Sequence, residues 1–158
     1  MKVICNTIPF IALSSIDQIE LLKEIYYSLI TPRAVIEEVS AGGAIRVPDL
    51  ASLDWIEVVP NVATVENRKL FQLDYGERQV VLNALEFKAN LVLIDDRNAR
   101  NIAEYLGLQV KGTLGILVEA KRKGLILSFK EAALKMREQG IRFSEQLINE
   151  IALNLKET

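Results

Sequence analysis

Short, continuously apolar segments alternate with segments of helical spacing along most of this chain, and this alternation restricts its fold more than any other feature. The apolar segments are residues 3–5, 29–30, 56–59, 91–94 and 108–110, and we predict that each is a strand. Strands that lack polar alternation are expected where helices cover both faces of a sheet. The alternation therefore predicts an α/β fold, a three-layer α/β/α sandwich around a parallel sheet of about five strands.

The size of the chain agrees with one folding unit. A chain of 158 residues with 50% apolar content can bury one sizeable core. No repeat, low-complexity segment or long linker divides it, so we predict a single domain over residues 1–158. From Ser128 onward, apolar residues recur at helical spacing, which predicts two amphipathic helices as a C-terminal extension over residues 128–158. These helices either pack on their own sheet or protrude to meet a second subunit.

The sequence also indicates the cellular compartment in which the protein is expected. Charged residues interrupt every apolar run well before the roughly 18 residues that cross a bilayer, and the N-terminal segment lacks a signal-peptide cleavage site. We therefore expect a cytoplasmic protein that does not contact a membrane. The single cysteine, Cys5, lies in an apolar strand, which favours a buried structural role over a nucleophilic one.

Capping residues predict where several helices begin. Thr31 followed by Pro32 predicts a helix start, with proline at the first helical position. Asp74 with Glu77 three residues later predicts a capping box. Gly107 lies where the C-terminal end of a helix is expected.

The chain contains no histidine, and this removes several kinds of active site. Ser-His-Asp sites, Cys-His sites and histidine-bound zinc are excluded, so carboxylate chemistry remains. The net charge of −2 gives no overall attraction to nucleic acid, so contact with RNA requires a local basic patch.

Polar residues gather at the predicted carboxyl ends of the strands, where open parallel sheets bind their ligands. Oxygen ligands without histidine or cysteine suit Mg²⁺ or Mn²⁺, which keep several waters and also contact substrate phosphates. Such a site can activate a water against a phosphodiester. The candidate residues are Asn6, Thr7, Glu37 or Glu38, Glu77, Asp95, Asp96, Arg97 and Thr113.

Each candidate also has a purely structural explanation. In this explanation Glu77 and Asp96 are helix caps with no further role, and Thr113 is the N-cap of the helix that follows it. Either of Glu37 and Glu38 can be a solvated helix charge, and periodicity does not decide which one faces inward. The shared location of these residues, rather than any one of them, carries the prediction of a metal site.

Four segments of the chain occur in an order that resembles a known family. They are ICNTIPFIAL (4–13), LDYGERQ (73–79), LIDDRNAR (93–100), and KGTLGIL (111–117) continued by AKRKGLI (120–126). Together they resemble the PIN-domain family over about residues 1–126, and the last segment is similar to a prokaryotic PIN-like subgroup near VapC-type toxins. The two C-terminal helices fall outside this resemblance.

The resemblance implies a Mg²⁺- or Mn²⁺-dependent ribonuclease of toxin–antitoxin type that hydrolyses RNA phosphodiesters. It implies an antitoxin protein as partner and a homodimer. The acidic positions of the family, which bind the metal and carry the catalysis, fall on Asn6, Glu38 (with Glu37 as the alternative), Glu77, and Asp95 or Asp96. Substrate contacts are expected from Thr7, Arg97, Arg100 and Thr113, and further phosphate-binding cations from Lys111, Lys121, Arg122 and Lys123.

Asn6 departs from the family pattern, which has a carboxylate at this position. An amide oxygen can ligate a cation, but it carries no negative charge and cannot act as a base. A second hypothesis therefore remains open, in which the chain is a catalytically weak PIN-like module that binds RNA or a partner protein. A nucleotide-binding or receiver-like domain is less favoured, because no glycine-rich loop follows the first strand.

Overall fold

Five parallel strands form one sheet in the order β3-β2-β1-β4-β5 in the computed structural model, which describes residues 1–157. The strands are β1 (Val3–Cys5), β2 (Leu29–Pro32), β3 (Ile56–Val59), β4 (Leu91–Leu93) and β5 (Val110–Lys111). The predicted parallel sheet of five strands is confirmed. Its central strand, β1, is fully buried, and no residue of it is more than 1% exposed.

Helices connect the strands and complete the three-layer α/β/α sandwich. Across residues 1–157 they are α1 (Thr7–Ser14), α2 (Glu20–Tyr26), α3 (Arg33–Ser40), α4 (Tyr75–Phe87), α5 (Arg97–Tyr105), α6 (Thr113–Arg122), α7 (Phe129–Glu138) and α8 (Glu145–Asn154). Short 3₁₀ helices lie at Leu50–Ser52 and Arg68–Gln72. Within the described residues, no helix combines the length and the apolar character needed to cross a bilayer.

The strand order reverses at β1, which places a crevice beyond its carboxyl end. From β1 the chain fills one side of the sheet with β2 and β3, and the other side with β4 and β5. Cys5 pairs with Leu93, and the Asn6 N–H donates to the Leu93 carbonyl at 2.9 Å. The residues that follow β1 and β4 therefore emerge side by side at the switch point, where open α/β sheets bind ligands.

The predicted helix start at Thr31-Pro32 is wrong. Strand β2 continues to Pro32, and α3 begins at Arg33 without a side-chain cap. The Thr31 hydroxyl donates to the carbonyl oxygen of Cys5 at 2.9 Å, so it stabilises the sheet instead of the helix. The last strand also lies slightly later than predicted, at Val110–Lys111.

The two C-terminal helices form as predicted and pack on their own domain. Phe129 and Met136 of α7 and Ile148 of α8 are fully buried in the core. The carboxylate of Glu157 accepts hydrogen bonds from the N–H groups of Phe129 and Lys130 at 2.8 and 2.9 Å. The end of the chain is thereby fixed to the start of α7, and the choice between packing and protruding is decided in favour of packing.

Candidate functional site

A cleft of about 860 Å³ opens at the carboxyl ends of β1, β4 and β5. Its acidic lining comes from three parts of the chain that are distant in sequence. The helix α3, the start of α4 and the loop after β4 together contribute Glu38, Asp74, Glu77, Asp95 and Asp96. The fold thus brings together the acidic candidates that the sequence analysis placed at this edge, except for Glu37.

Asn6 lies in the lining of the cleft directly after β1. Its side chain is only 5% exposed, and within the described residues its Oδ1 atom has no hydrogen-bond partner. A buried acceptor without a partner is uncommon in folded proteins and calls for a specific explanation. The amide oxygen of Asn6 is therefore available to a cation or to a water that binds one.

Asp95 is held in place by the first residue of α6. The Thr113 N–H donates to Oδ1 of Asp95 at 2.8 Å, and the Thr113 hydroxyl donates to Oδ2 at 2.6 Å. A Cβ atom at Gly112 would come within 3.0 Å of Asp95 Oδ1, so a side chain there would press on the Asp95 carboxylate. Burial raises the pKa of Asp95, while the Thr113 hydrogen bonds and the charge of Arg100 oppose the rise.

The structural explanation of Thr113 as an N-cap is wrong. Gly112 occupies the N-cap of α6, and Thr113 is the first helical residue. Its hydroxyl therefore serves Asp95 and not the helix. Because Thr113 is fully buried, this hydrogen bond is shielded from water.

Glu38 faces the cleft, and Glu37 is exposed outside the lining. The Thr7 hydroxyl donates to Oε2 of Glu38 at 3.0 Å. A Cβ atom at Gly76 would come within 2.7 Å of that same oxygen, so α4 approaches Glu38 closely because it has glycine there. The fold thus decides between the two neighbouring glutamates, which the sequence left open.

Glu77 is both a helix cap and part of the acidic lining. The predicted capping box is confirmed: the Glu77 N–H donates to Asp74 at 2.8 Å, and the Asp74 N–H donates to Glu77 at 3.2 Å. Partial burial and the charge of Asp74 raise the pKa of Glu77 to about 7, with smaller contributions from Asp96 and Glu38 in the same direction and an opposing backbone hydrogen bond. Perturbed carboxylates of this kind are common at functional sites.

Asp74 is a cleft residue that the sequence analysis assigned to capping alone. Asp96 likewise caps α5, accepting the Ala99 N–H at 2.9 Å, while it also lines the cleft. A capping position next to a candidate ligand was the only local signal that could have pointed to Asp74. Helix starts that meet at one sheet edge bring their caps into the site as well.

Of the candidate phosphate-binding cations, two line the cleft and the others lie outside its lining. Arg100 and Lys111 line the cleft, but Lys111 forms an ion pair with Glu119 at 2.9 Å. Arg97 is exposed outside the lining, and Lys121 pairs with Glu157 at 3.2 Å away from the cleft. The remaining two candidates, Arg122 and Lys123, are exposed and also outside the lining.

The C-terminal part of the chain contributes an apolar wall to the lining of the cleft, which its sequence pattern does not predict. This wall contains Ile141, Phe143, Leu147 and Ile151. Leu147 and Ile151 lie in α8 as their spacing predicts, but the prediction of helix is wrong for Ile141 and Phe143, which lie in the segment between α7 and α8. The cleft is therefore lined both by acidic side chains and by an apolar segment that is distant from them in sequence.

The donor set of the cleft fits Mg²⁺ or Mn²⁺. It consists of carboxylates and the unpartnered amide oxygen of Asn6, and hard divalent cations prefer oxygen ligands. In residues 1–157, no three acidic side chains already stand as a metal-binding group. Binding therefore requires the carboxylates to turn toward one another, which their mutual repulsion opposes until a cation enters.

A family model described as a PIN domain matches residues 2–157. The match includes α7 and α8, which the sequence resemblance above did not cover. The comparisons with curated proteins and with solved structures give no significant match.

Proposed function

The chain belongs to the PIN-domain family and has its nuclease-like fold, and from this premise we propose that it is a Mg²⁺- or Mn²⁺-dependent endoribonuclease of toxin–antitoxin type. The proposed substrate is the phosphodiester backbone of RNA, and the proposed site is the acidic half of the cleft. We place the protein in the cytoplasm with an antitoxin as partner, and as a homodimer, on the strength of the resemblance.

One observation carries the proposal, the convergence of acidic side chains around the buried, unpartnered oxygen of Asn6. The pKa of Glu77 is raised to about 7 first by burial and then by repulsion from the charge of Asp74, with smaller repulsive contributions from Asp96 and Glu38. A divalent cation favours the ionised carboxylates and removes that repulsion. A site that is unfavourable without a cation is therefore well suited to hold one.

The residues of the cleft have separable roles in this proposal. Bound Mg²⁺ or Mn²⁺ would lower the pKa of a water and neutralise charge on the substrate phosphate. Asp95 and Glu38 are held as ligands by the Thr113 and Thr7 hydroxyls. Asn6 supplies a neutral oxygen ligand or orients a water, and Glu77 with Asp96 completes the acidic set.

Arg100 supports a role in holding substrate. It lines the cleft, and its charge acts on Asp95. Within residues 1–157 its guanidinium takes part in no ion pair, since the four ion pairs there involve other side chains. It can therefore contact a substrate phosphate in a planar, two-point fashion.

Asn6 favours a second candidate function, a PIN-like module that binds RNA or a partner protein with little or no cleavage. With an amide where the family has a carboxylate, the site has one negative charge fewer and weaker attraction for a cation. The two candidates differ in a measurable way. The nuclease requires metal binding and turnover, whereas the module requires neither.

The test is cleavage of an unstructured RNA in Mg²⁺ or Mn²⁺, together with calorimetric titration of Mn²⁺. Asp95→Asn and Glu38→Gln should each lower the cleavage rate on the order of 100-fold, in line with the loss of metal-site residues. Glu37→Gln is the matched control, because its side chain lies one position away and outside the lining. Cleavage that survives in Asp95→Asn rejects the acidic cleft as the site of cleavage, whereas RNA binding by the wild type without any cleavage rejects the nuclease and supports the module.

A further inference from the structure

Beside the cleft lies a strip of aromatic and cationic side chains that the proposed catalysis does not use. We call it the aromatic–cationic strip, and it consists of Lys69, Phe71, Tyr75, Arg78 and Tyr105. Its three aromatic residues are well exposed, at 59% for Phe71, 51% for Tyr75 and 70% for Tyr105. Single exposed aromatics need no explanation, but an exposed group that is linked by cations is a candidate binding surface.

The cations of the strip lie against its rings. The Lys69 Nζ atom is 4.3 Å from the centre of the Tyr105 ring. The Arg78 guanidinium carbon lies 5.2 Å from the Phe71 ring and 5.9 Å from the Tyr75 ring, so this one side chain joins two aromatics. Cation–π contacts of this kind hold long side chains in fixed positions on the surface.

The positive charges of the strip are not neutralised by carboxylates. The ion pairs formed within residues 1–157 involve neither Lys69 nor Arg78. Arg78 donates to the carbonyl oxygen of Leu73 at 3.3 Å, and its Nε atom is buried and has no partner in the described part of the chain. In a chain with a net charge of −2, these two cations are a local exception that suits a polyanion.

The strip adjoins the acidic cleft at the start of α4, where two of its members directly follow cleft residues in the sequence. Tyr75 is the first residue of α4, directly after the cleft residue Asp74, and Arg78 directly follows Glu77. Lys69 and Phe71 lie on the 3₁₀ helix Arg68–Gln72, and Lys69 contacts Tyr105, the last residue of α5. A polymer with one phosphate at the acids would therefore place its neighbouring nucleotides over these rings.

We propose that the aromatic–cationic strip binds unpaired nucleotides next to the cleavage point, with bases stacked on Phe71, Tyr75 and Tyr105 and phosphates held by Lys69 and Arg78. Alternating aromatic and cationic side chains are how proteins hold single-stranded nucleic acid without reading its sequence. Paired bases do not offer their faces, so the strip selects single-stranded RNA over duplex. This inference rests on the proposed function and extends it from the acids to the adjoining surface.

The test measures RNA binding by fluorescence anisotropy in EDTA, so that binding is observed without metal-dependent cleavage. The probe is a labelled, unstructured RNA of about twelve nucleotides, long enough to reach from the cleft across a stacking surface. The double variant Phe71→Ala, Tyr75→Ala should weaken binding of this RNA at least about tenfold, whereas binding of a duplex of equal length should be unchanged. Lys69→Gln should weaken binding and reduce its salt dependence.

Two exposed residues on another element serve as matched controls. Tyr27→Ala removes an aromatic side chain that is 81% exposed, and Lys23→Gln removes a cation from α2. Both should leave the affinity for RNA unchanged, and circular dichroism should show that all variants fold.

Three other results would overturn the proposal that the aromatic–cationic strip binds RNA. Undiminished RNA binding by the Phe71/Tyr75 double variant rejects the strip, as does a wild-type chain that does not bind the probe. If the double variant instead dissociates a dimer in sedimentation while binding RNA normally, the strip is a subunit interface. The nuclease proposal is tested separately by Asp95→Asn, so strip binding without cleavage rejects only that proposal.

Discussion

Replacing Glu77 by glutamine should stabilise the metal-free protein at and above neutral pH. The wild-type carboxyl has a pKa raised to about 7 by burial and then by Asp74, against an ordinary value of 4.5. At a pH below this ordinary pKa, the carboxyl is protonated in both the folded and the unfolded state and does not affect the free energy of unfolding. As the pH rises toward 7, the unfolded chain loses this proton first, so the native state becomes progressively less stable.

The size of this effect follows from the two pKa values. A change from 4.5 to about 7 on folding costs the native state about 3 kcal/mol once the group is ionised in both states. Because Glu77 remains partly solvated, water screens its charge, and about 1–2 kcal/mol is the expected cost. Glutamine cannot ionise, yet its carbonyl oxygen can still accept the Asp74 N–H, so the variant avoids the cost and keeps the capping box.

Urea unfolding in EDTA, from about pH 5 to about pH 8, measures the effect. The free energy of unfolding of Glu77→Gln should exceed that of the wild type by a margin that grows with pH and levels off above 7. Glu86→Gln is the matched control, because Glu86 is exposed at the far end of the same helix. A variant that is no more stable at pH 8, or a gain that does not change with pH, would refute the reasoning.

The other predictions concern the same cleft. Asn6→Asp should tighten Mn²⁺ binding in calorimetry, because it adds a negative charge beside the unpartnered buried oxygen site; unchanged affinity would place the metal elsewhere. Thr113→Val should lower RNA cleavage about 10–100-fold and the free energy of unfolding by about 1–3 kcal/mol, since Asp95 loses one of its two hydrogen bonds from this buried residue; full activity would contradict its positioning role. Gly76→Ala should fold normally but lose activity, because its Cβ displaces the Glu38 carboxylate, whereas Gly43→Ala, with open space around it, should behave as wild type in both assays.

Much of the fold could be predicted because its signals are local. The apolar strands and the Asp74–Glu77 capping box depend on residues close together in sequence, and the structure contains all of them, with only β2, β4 and β5 displaced at their ends by two residues or fewer. The error at Thr31 had a long-range cause. Its hydroxyl can cap a helix or bond across a sheet, and only the position of Cys5 in the folded chain decides between them.

The site was less predictable for the same reason. Consecutive helical residues point about 100° apart, but the direction of the core must be known before Glu38 can be preferred to Glu37. The pairing of Thr113 with Asp95 joins two strand ends that are neighbours only after β4 and β5 have aligned. The sequence predicts which residues lie at the carboxyl edge of the sheet, whereas their hydrogen-bond partners depend on how the sheet is assembled.

The apolar wall of the cleft consists of residues from the last quarter of the chain, whereas the acidic side chains of the cleft come from the first two thirds. Substitutions in one stretch can therefore reshape the entrance of the cleft without touching the carboxylates. In evolutionary terms, the residues that would select the ligand and those that would act on it can be substituted independently of one another. In the laboratory, a fusion or truncation at the C-terminus acts on the site itself.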